Sequence, residues 1–126
     1  MTAANQVTRM ASVSIPVSDQ DKALEFYTTV LGLSKSREYP MGGGARWIEV
    51  TTPGGGATIA LTQANPDAPA PAETGIRLCV TDAEAFHEHL LQHGASADEV
   101  LRWPGVPPMF AFRDQDGNGL VIIQEA

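Results

Sequence analysis

Apolar residues follow two rhythms along this chain. Residues 14–19 (SIPVSD) and 77–82 (RLCVTD) are short β-type runs that end on a hydroxyl residue and an aspartate. Alternation of this kind marks a strand with one buried face. Each run leads into a stretch, residues 23–31 and 83–93, whose apolar positions fall three or four apart. Leu24, Tyr27 and Leu31 recur in the first, with Phe26 and Val30 beside them; Phe86 and Leu90 do so in the second. That spacing predicts amphipathic helices lying by one face on a sheet. Both stop at a glycine, Gly32 or Gly94, which suits the left-handed position past a helix end. Thr81 with Glu84 reads as a capping box, and Ser18 with Asp21 as a weaker version of it.

A hairpin pattern follows each helix. Residues 47–52 and 57–63 are alternating runs around a Pro-Gly-Gly-Gly turn; residues 109–112 and 120–124 repeat the plan around 114–119 (DQDGNG). Glycine- and proline-rich segments 41–44 and 104–108 sit at matching places before the hairpins and read as loops. The chain is thus one unit written twice: strand, helix, then two or three strands. The first module covers residues 8–63, a proline–alanine linker covers 64–73, and the second module covers 74–126, within one structural domain.

Composition narrows the function. With 126 residues, 43% of them apolar, the chain suits a single folded domain. Eight Lys and Arg against 15 Asp and Glu give a net charge of −7, which disfavours nucleic acid and anionic lipid as partners. Cationic or neutral small molecules remain open. Cys79 is the one cysteine, so neither an internal disulfide nor a cysteine-based zinc site is expected. No apolar run approaches membrane-spanning length and no signal-peptide core is present, so a cytoplasmic location is expected.

Residues 13–27 (VSIPVSDQDKALEFY), followed by 30–33 (VLGL), resemble the opening of the vicinal oxygen chelate superfamily of glyoxalase, bleomycin-resistance and extradiol-dioxygenase proteins. Residues 112–118 (FRDQDGN) resemble that family's second-module turn, with Gln115 where proline is common. The resemblance implies an α+β fold of two tandem βαβββ modules, forming a cupped mixed sheet with the helices outside and a ligand inside. Ile15, Val17, Ile48, Val50, Ile59, Leu61, Leu78, Val80, Leu120 and Ile122 would then face the helices. The alternate set would face the cup, including Ser14, Trp47, Glu49, Thr58, Ala60, Thr62, Arg77, Cys79, Val121 and Ile123.

Enzymes of the superfamily place His or Glu metal ligands at four cup positions, which the resemblance maps onto Ser12, Ala60, Gly75 and Val121. Three of these lack a donor atom, and a lone serine hydroxyl does not hold a divalent transition metal. No metal or cofactor is therefore expected. Metal-free relatives that sequester antibiotics suggest a reversible binder of small hydrophobic molecules, a homodimer like many members of the family. Trp47, Trp103, Met109, Phe110 and Phe112 are the candidate walls, and Glu49 and Arg77 the charged handles, which could also pair with each other. The alternative is a metal-free enzyme of lyase or isomerase type. In that reading Glu49 is the base, with a raised pKa in a closed pocket, and Arg77 the electrostatic stabiliser. A metal enzyme with relocated ligands, or a module that binds a partner instead of a small ligand, completes the alternatives.

Several signals have ordinary readings. Residues 114–125 fit the calcium-loop pattern D-x-[DN]-x-[DN]-G-x₅-E, but no helix flanks them, so a hairpin turn is expected. His87, His89 and His93 share one outer helix and read as surface residues. Cys79 reads as packing material, and Tyr27 as a core residue with a satisfied hydroxyl.

Overall fold

The computed structural model describes residues 3–126. Strand β1 (Ser12–Val17) enters helix α1 (Gln20–Glu25), which continues as a π-helical turn over Phe26–Val30. Strands β2 (Ser34–Gly42), β3 (Ala45–Thr51) and β4 (Thr58–Gln63) complete the first module. The second runs β5 (Glu73–Val80), α2 (Ala83–Gln92), β6 (Ser96–Ala97), β7 (Met109–Arg113) and β8 (Gly119–Gln124). Hydrogen bonding gives two four-stranded mixed sheets, ordered β1-β4-β3-β2 and β5-β8-β7-β6. In each, the first strand pairs in parallel with the last, and the remaining neighbours are antiparallel. Strands β2 and β6 lie outside the runs expected to be strands. The first forms a hairpin with β3 across the glycine loop, and the second is only two residues long.

One face of each sheet makes the core. Ile15, Val17, Ile48, Val50, Ile59, Leu61, Leu120 and Ile122 are buried there with Tyr27 and Leu31 of the first helical stretch and Leu90 of α2. Leu78 and Val80 are half-buried against the same cluster. The cluster spans both modules, so neither completes its core alone. Each large apolar side chain buried in it contributes about 1.5–3 kcal/mol. Buried Phe110 and Phe112, each 1% exposed, belong to this cluster as well. Their partners across the β7–β8 ladder are Ile122 and Leu120, and partners in register share a face. The expectation that these two phenylalanines wall the ligand cup is therefore corrected: they are core, and Met109 and Ala111 take the opposite face.

The helix caps also differ from expectation by one residue. Asp19 accepts hydrogen bonds from the backbone N–H groups of Asp21 and Lys22, and Asp82 accepts one from Ala85. Thr81 and Ser18 are not the caps; a carboxylate at the next position satisfies the free amides of the first turn instead. Buried Gln20 pins α1 to its sheet. Its amide donates to the Leu61 carbonyl at 2.8 Å and to that of Arg46, and its oxygen accepts from the Arg46 N–H.

A polar knot joins the modules. Tyr27, fully buried, donates from its hydroxyl to Asp114 Oδ2 at 2.7 Å. Asn118, also fully buried, donates to the Pro16 carbonyl and to Asp114 Oδ2, and accepts from the Ala72 N–H at 2.7 Å. The Ser18 backbone N–H and hydroxyl both donate to Asp116. Among the described residues no buried side-chain polar atom lacks a partner, so the knot carries little desolvation penalty. The calcium-like motif is this turn: Asp114 Oδ1 accepts from the N–H groups of Asp116 and Asn118, which turns that oxygen toward the backbone.

Candidate functional site

The candidate site is the sheet face opposite the helices. In the first module it carries Ser12, Ser14, Trp47, Glu49, Thr58, Ala60 and Thr62. Register adds Arg37, opposite Glu49, and Tyr39, opposite Trp47. Arg37 and Tyr39 lie on β2, outside the runs expected to be strands, which is why sequence reading missed them. The alternation of Arg37, Tyr39 and Met41 was the available signal. In the second module the same side carries Arg77, Cys79, Met109, Val121 and Ile123, with Arg77 and Cys79 exposed and Val121 half-buried. Trp103 lies on the loop between β6 and β7 and is 64% exposed.

Glu49 anchors the first half of this face. The Trp47 indole N–H donates to its Oε2 at 2.6 Å and the Thr58 hydroxyl to its Oε1 at 2.7 Å. These bonds to Trp47 and Thr58, with the positive charge of Arg37, hold its carboxyl below the usual glutamate range. A general base at neutral pH needs the opposite shift. The raised pKa that would mark the enzyme alternative is not what this environment produces, because hydrogen bonds that stabilise the carboxylate make it a weaker base. Nor do Glu49 and Arg77 form an ion pair among the described residues; Arg77 points a guanidinium nitrogen at Met109 Sδ, 3.9 Å away.

Three cavities adjoin these residues. Trp47 lines one of about 360 Å³ with Met41, Ala45 and Thr62. Glu49 and Thr58 line a second of about 300 Å³ with Arg9, Ser36 and Arg37. Thr58 also borders a third of about 280 Å³, apolar and set between the modules, whose far wall is Ile76, Arg77 and Leu78.

The positions that the resemblance maps to metal ligands do not suit a cation. Ala60 and Val121 carry no donor atom, and Ser12 offers a single hydroxyl. Gly75 has a left-handed backbone (φ +72°) in an irregular stretch of β5. A side chain there would be strained although nothing lies within 4 Å of where its Cβ would sit. Among the described residues no group of three or more His, Cys, Asp or Glu side chains is placed to hold a metal ion. The helix histidines have other partners: His87 and His89 lie at hydrogen-bond distance from the Asp98 and Val30 carbonyls, and His93 from that of His89.

Residues 9–122 match the sequence profile of the Glyoxalase/Bleomycin resistance protein/Dioxygenase superfamily. The chain belongs to this family. It is 29% identical over 127 residues to YurT, an uncharacterized protein of Bacillus subtilis (strain 168), covering 93% of this chain and 99% of that one. Among solved structures it is similar to TnmS3, an antibiotic binding protein from Streptomyces sp. CB03234. The identity is 28% and the TM-score 0.82, covering 95% of this chain and 98% of that one. A superfamily member from Sphaerobacter thermophilus DSM 20745 gives 29% identity and a TM-score of 0.84, covering 94% and 98%. Two mixed sheets with one helical stretch each, sharing a core, are thus the family's fold in this chain. No helix among the described residues is long and apolar enough to cross a membrane.

Proposed function

We propose that the protein binds and sequesters a small organic molecule on its open sheet face, without a metal ion. The observation that carries this reading is the make-up of that face. It has an aromatic wall at Trp47, hydroxyl and guanidinium handles around Glu49, adjoining cavities, and a single hydroxyl among the four positions where the family's enzymes hold a metal. Such a surface suits recognition more than bond-breaking. Similarity to an antibiotic binding protein along nearly the whole of both chains supports an antibiotic-like or similarly apolar ligand. Hydrogen bonds from Trp47 and Thr58 lower the basicity of Glu49, the base of an enzymatic alternative, which supports binding over turnover.

A homodimer fits the same surface. Strands β1 and β5 end their sheets, and Val7, Met10, Tyr39 and Met41 are exposed on or beside the first sheet. A second copy covering these groups would protect the edges and close the site.

The test is a fluorescence titration with phenylnaphthylamine, an uncharged apolar dye, together with elemental analysis of protein purified without added metal. Saturable, stoichiometric binding is expected. Trp47→Ala should weaken it about tenfold, the size of losing an aromatic anchor. Absence of saturable binding, or a stoichiometric bound metal ion, overturns the reading.

A further inference from the structure

The chain is acidic overall, yet its unpaired positive charge collects beside the candidate site. Of eight Lys and Arg residues, Lys35, Arg46, Arg102 and Arg113 are in ion pairs with carboxylates. Among the described residues that leaves Lys22 on α1 and three arginines, Arg9, Arg37 and Arg77, outside any ion pair. Arg9 and Arg37 line the cavity that holds Glu49, Arg77 lines the apolar one between the modules, and Thr58 is a wall of both. Among the described residues Glu49 is the one acidic side chain lining either cavity; in its own cavity the two guanidinium groups of Arg9 and Arg37 stand against that one carboxylate, an excess of one positive charge. Glu49 is moreover occupied, each oxygen already accepting a hydrogen bond from Trp47 or Thr58. The surroundings divide by polarity. Arg9 and Arg37 stand with the Ser36 hydroxyl on one side of Thr58, and Val13, Ile76 and Leu78 form an apolar wall on the other.

We infer that the ligand is an amphipathic organic anion: a carboxylate or comparable oxyanion held by Arg9 and Arg37, with an apolar body in the crevice toward Leu78. This rests on the proposed small-molecule function and adds the ligand's chemical class, which the net charge of −7 conceals. Guanidinium groups are suited to it because their planar donor pairs match the two oxygens of a carboxylate. The acidic remainder of the surface slows the approach of an anion but acts through water and salt, which screen it within roughly 10 Å. Inside the cavity the nearby arginines dominate.

The experiment pairs two dyes of like aromatic body, anilinonaphthalene sulfonate and uncharged phenylnaphthylamine, titrated into the intact protein. The sulfonate stands in for the anionic group. It is expected to bind about tenfold more tightly than the neutral dye, as charge-assisted hydrogen bonds allow. Arg37→Gln and Arg9→Gln should each weaken the sulfonate about five- to tenfold while leaving the neutral dye within about twofold. Arg37→Lys should restore part of the loss, Glu49→Gln should tighten the sulfonate, and Arg102→Gln, in a remote ion pair, should change neither dye. Equal or tighter binding of the neutral dye, or sulfonate binding indifferent to Arg9 and Arg37, overturns the anion proposal and leaves the small-molecule reading standing. Failure of both dyes to bind removes both.

Discussion

The turn between β3 and β4 and the turn between β7 and β8 occupy equivalent places in the two modules, and both are rich in glycine. The first, Pro-Gly-Gly-Gly at residues 53–56, is exposed, and nothing lies within 4 Å of a Cβ built on any of its glycines. The second holds buried Asp114 and Asn118, which reach into the first module at Tyr27 and Pro16. Gene-duplicate-like halves need not divide labour evenly. Here one turn is an open lip at the edge of the ligand cavities, with Gly55 and Gly56 among their lining, and the other is a fastener. The difference comes from side chains, since two hairpins of similar topology place their tips at similar positions. A carboxylate and an amide can satisfy amides and hydroxyls of a neighbouring module, whereas glycine brings no such groups.

Substitutions can break this comparison, beginning with the fastener. Asp114→Ala strips the acceptor from the Tyr27 hydroxyl, the Asn118 amide and two backbone N–H groups. It should cost about 3–4 kcal/mol in urea unfolding, the scale of disrupting a buried polar network. Loss below 1 kcal/mol, a small fraction of that scale, would mean that the modules hold without the knot. Tyr27→Phe removes a single donor and keeps the ring packed, so a loss of about 1–2 kcal/mol is expected by the same measurement. Burial, followed by the nearby charge of Asp114, raises the Tyr27 pKa well above the ordinary tyrosine value. Its absorbance should therefore show no phenolate until the protein unfolds in alkali.

Ser18→Ala probes the exposed rim of the fastener through pH. Burial pulls the Asp116 carboxyl up, but hydrogen bonds from Ser18 outweigh it and leave the pKa below the ordinary aspartate value. A group depressed in the folded state stabilises above its unfolded pKa and loses that contribution as pH falls through the folded one. The variant should therefore be less stable than the parent at about pH 7, with the gap narrowing as pH falls below the ordinary aspartate value of about 3.9. A gap that widens on acidification would contradict the assignment. At the open lip, Gly54→Ala should change stability by no more than about 0.5 kcal/mol, because it meets no neighbour and needs no left-handed backbone. A larger loss would show that the two turns are more alike than they look.

Strand and helix content was legible because it is written in residues two to four apart. The alternation of residues 57–63 and the apolar spacing from Leu24 to Leu31 each carry their element without help from the rest of the chain. Faces were harder. Alternation shows that Phe110 and Phe112 share a side of β7, but only their pairing with Ile122 and Leu120 shows which side, and that pairing buries them. The caps moved by one residue, from Thr81 and Ser18 to Asp82 and Asp19, because either position supplies an oxygen acceptor and local geometry chose. Of the site, Trp47, Glu49 and Thr58 read as one face from alternation, and Trp47 and Thr58 both donate hydrogen bonds to Glu49. Arg9 and Arg37 did not read as part of it, since neither lies in a run with a strong strand signal.

The sequence by itself therefore determined the duplicated strand–helix–hairpin order, the family it belongs to, and which residues stand where the resemblance maps metal ligands, Ser12, Ala60, Gly75 and Val121. Tertiary structure decided the rest. The knot links Tyr27 to Asp114 and Pro16 to Asn118, pairs 87 and 102 residues apart, and the apolar cavity beside Thr58 takes its far wall from β5. Local periodicity is a property of near neighbours, whereas register and module docking depend on which distant surfaces satisfy each other's apolar area and hydrogen bonds at once.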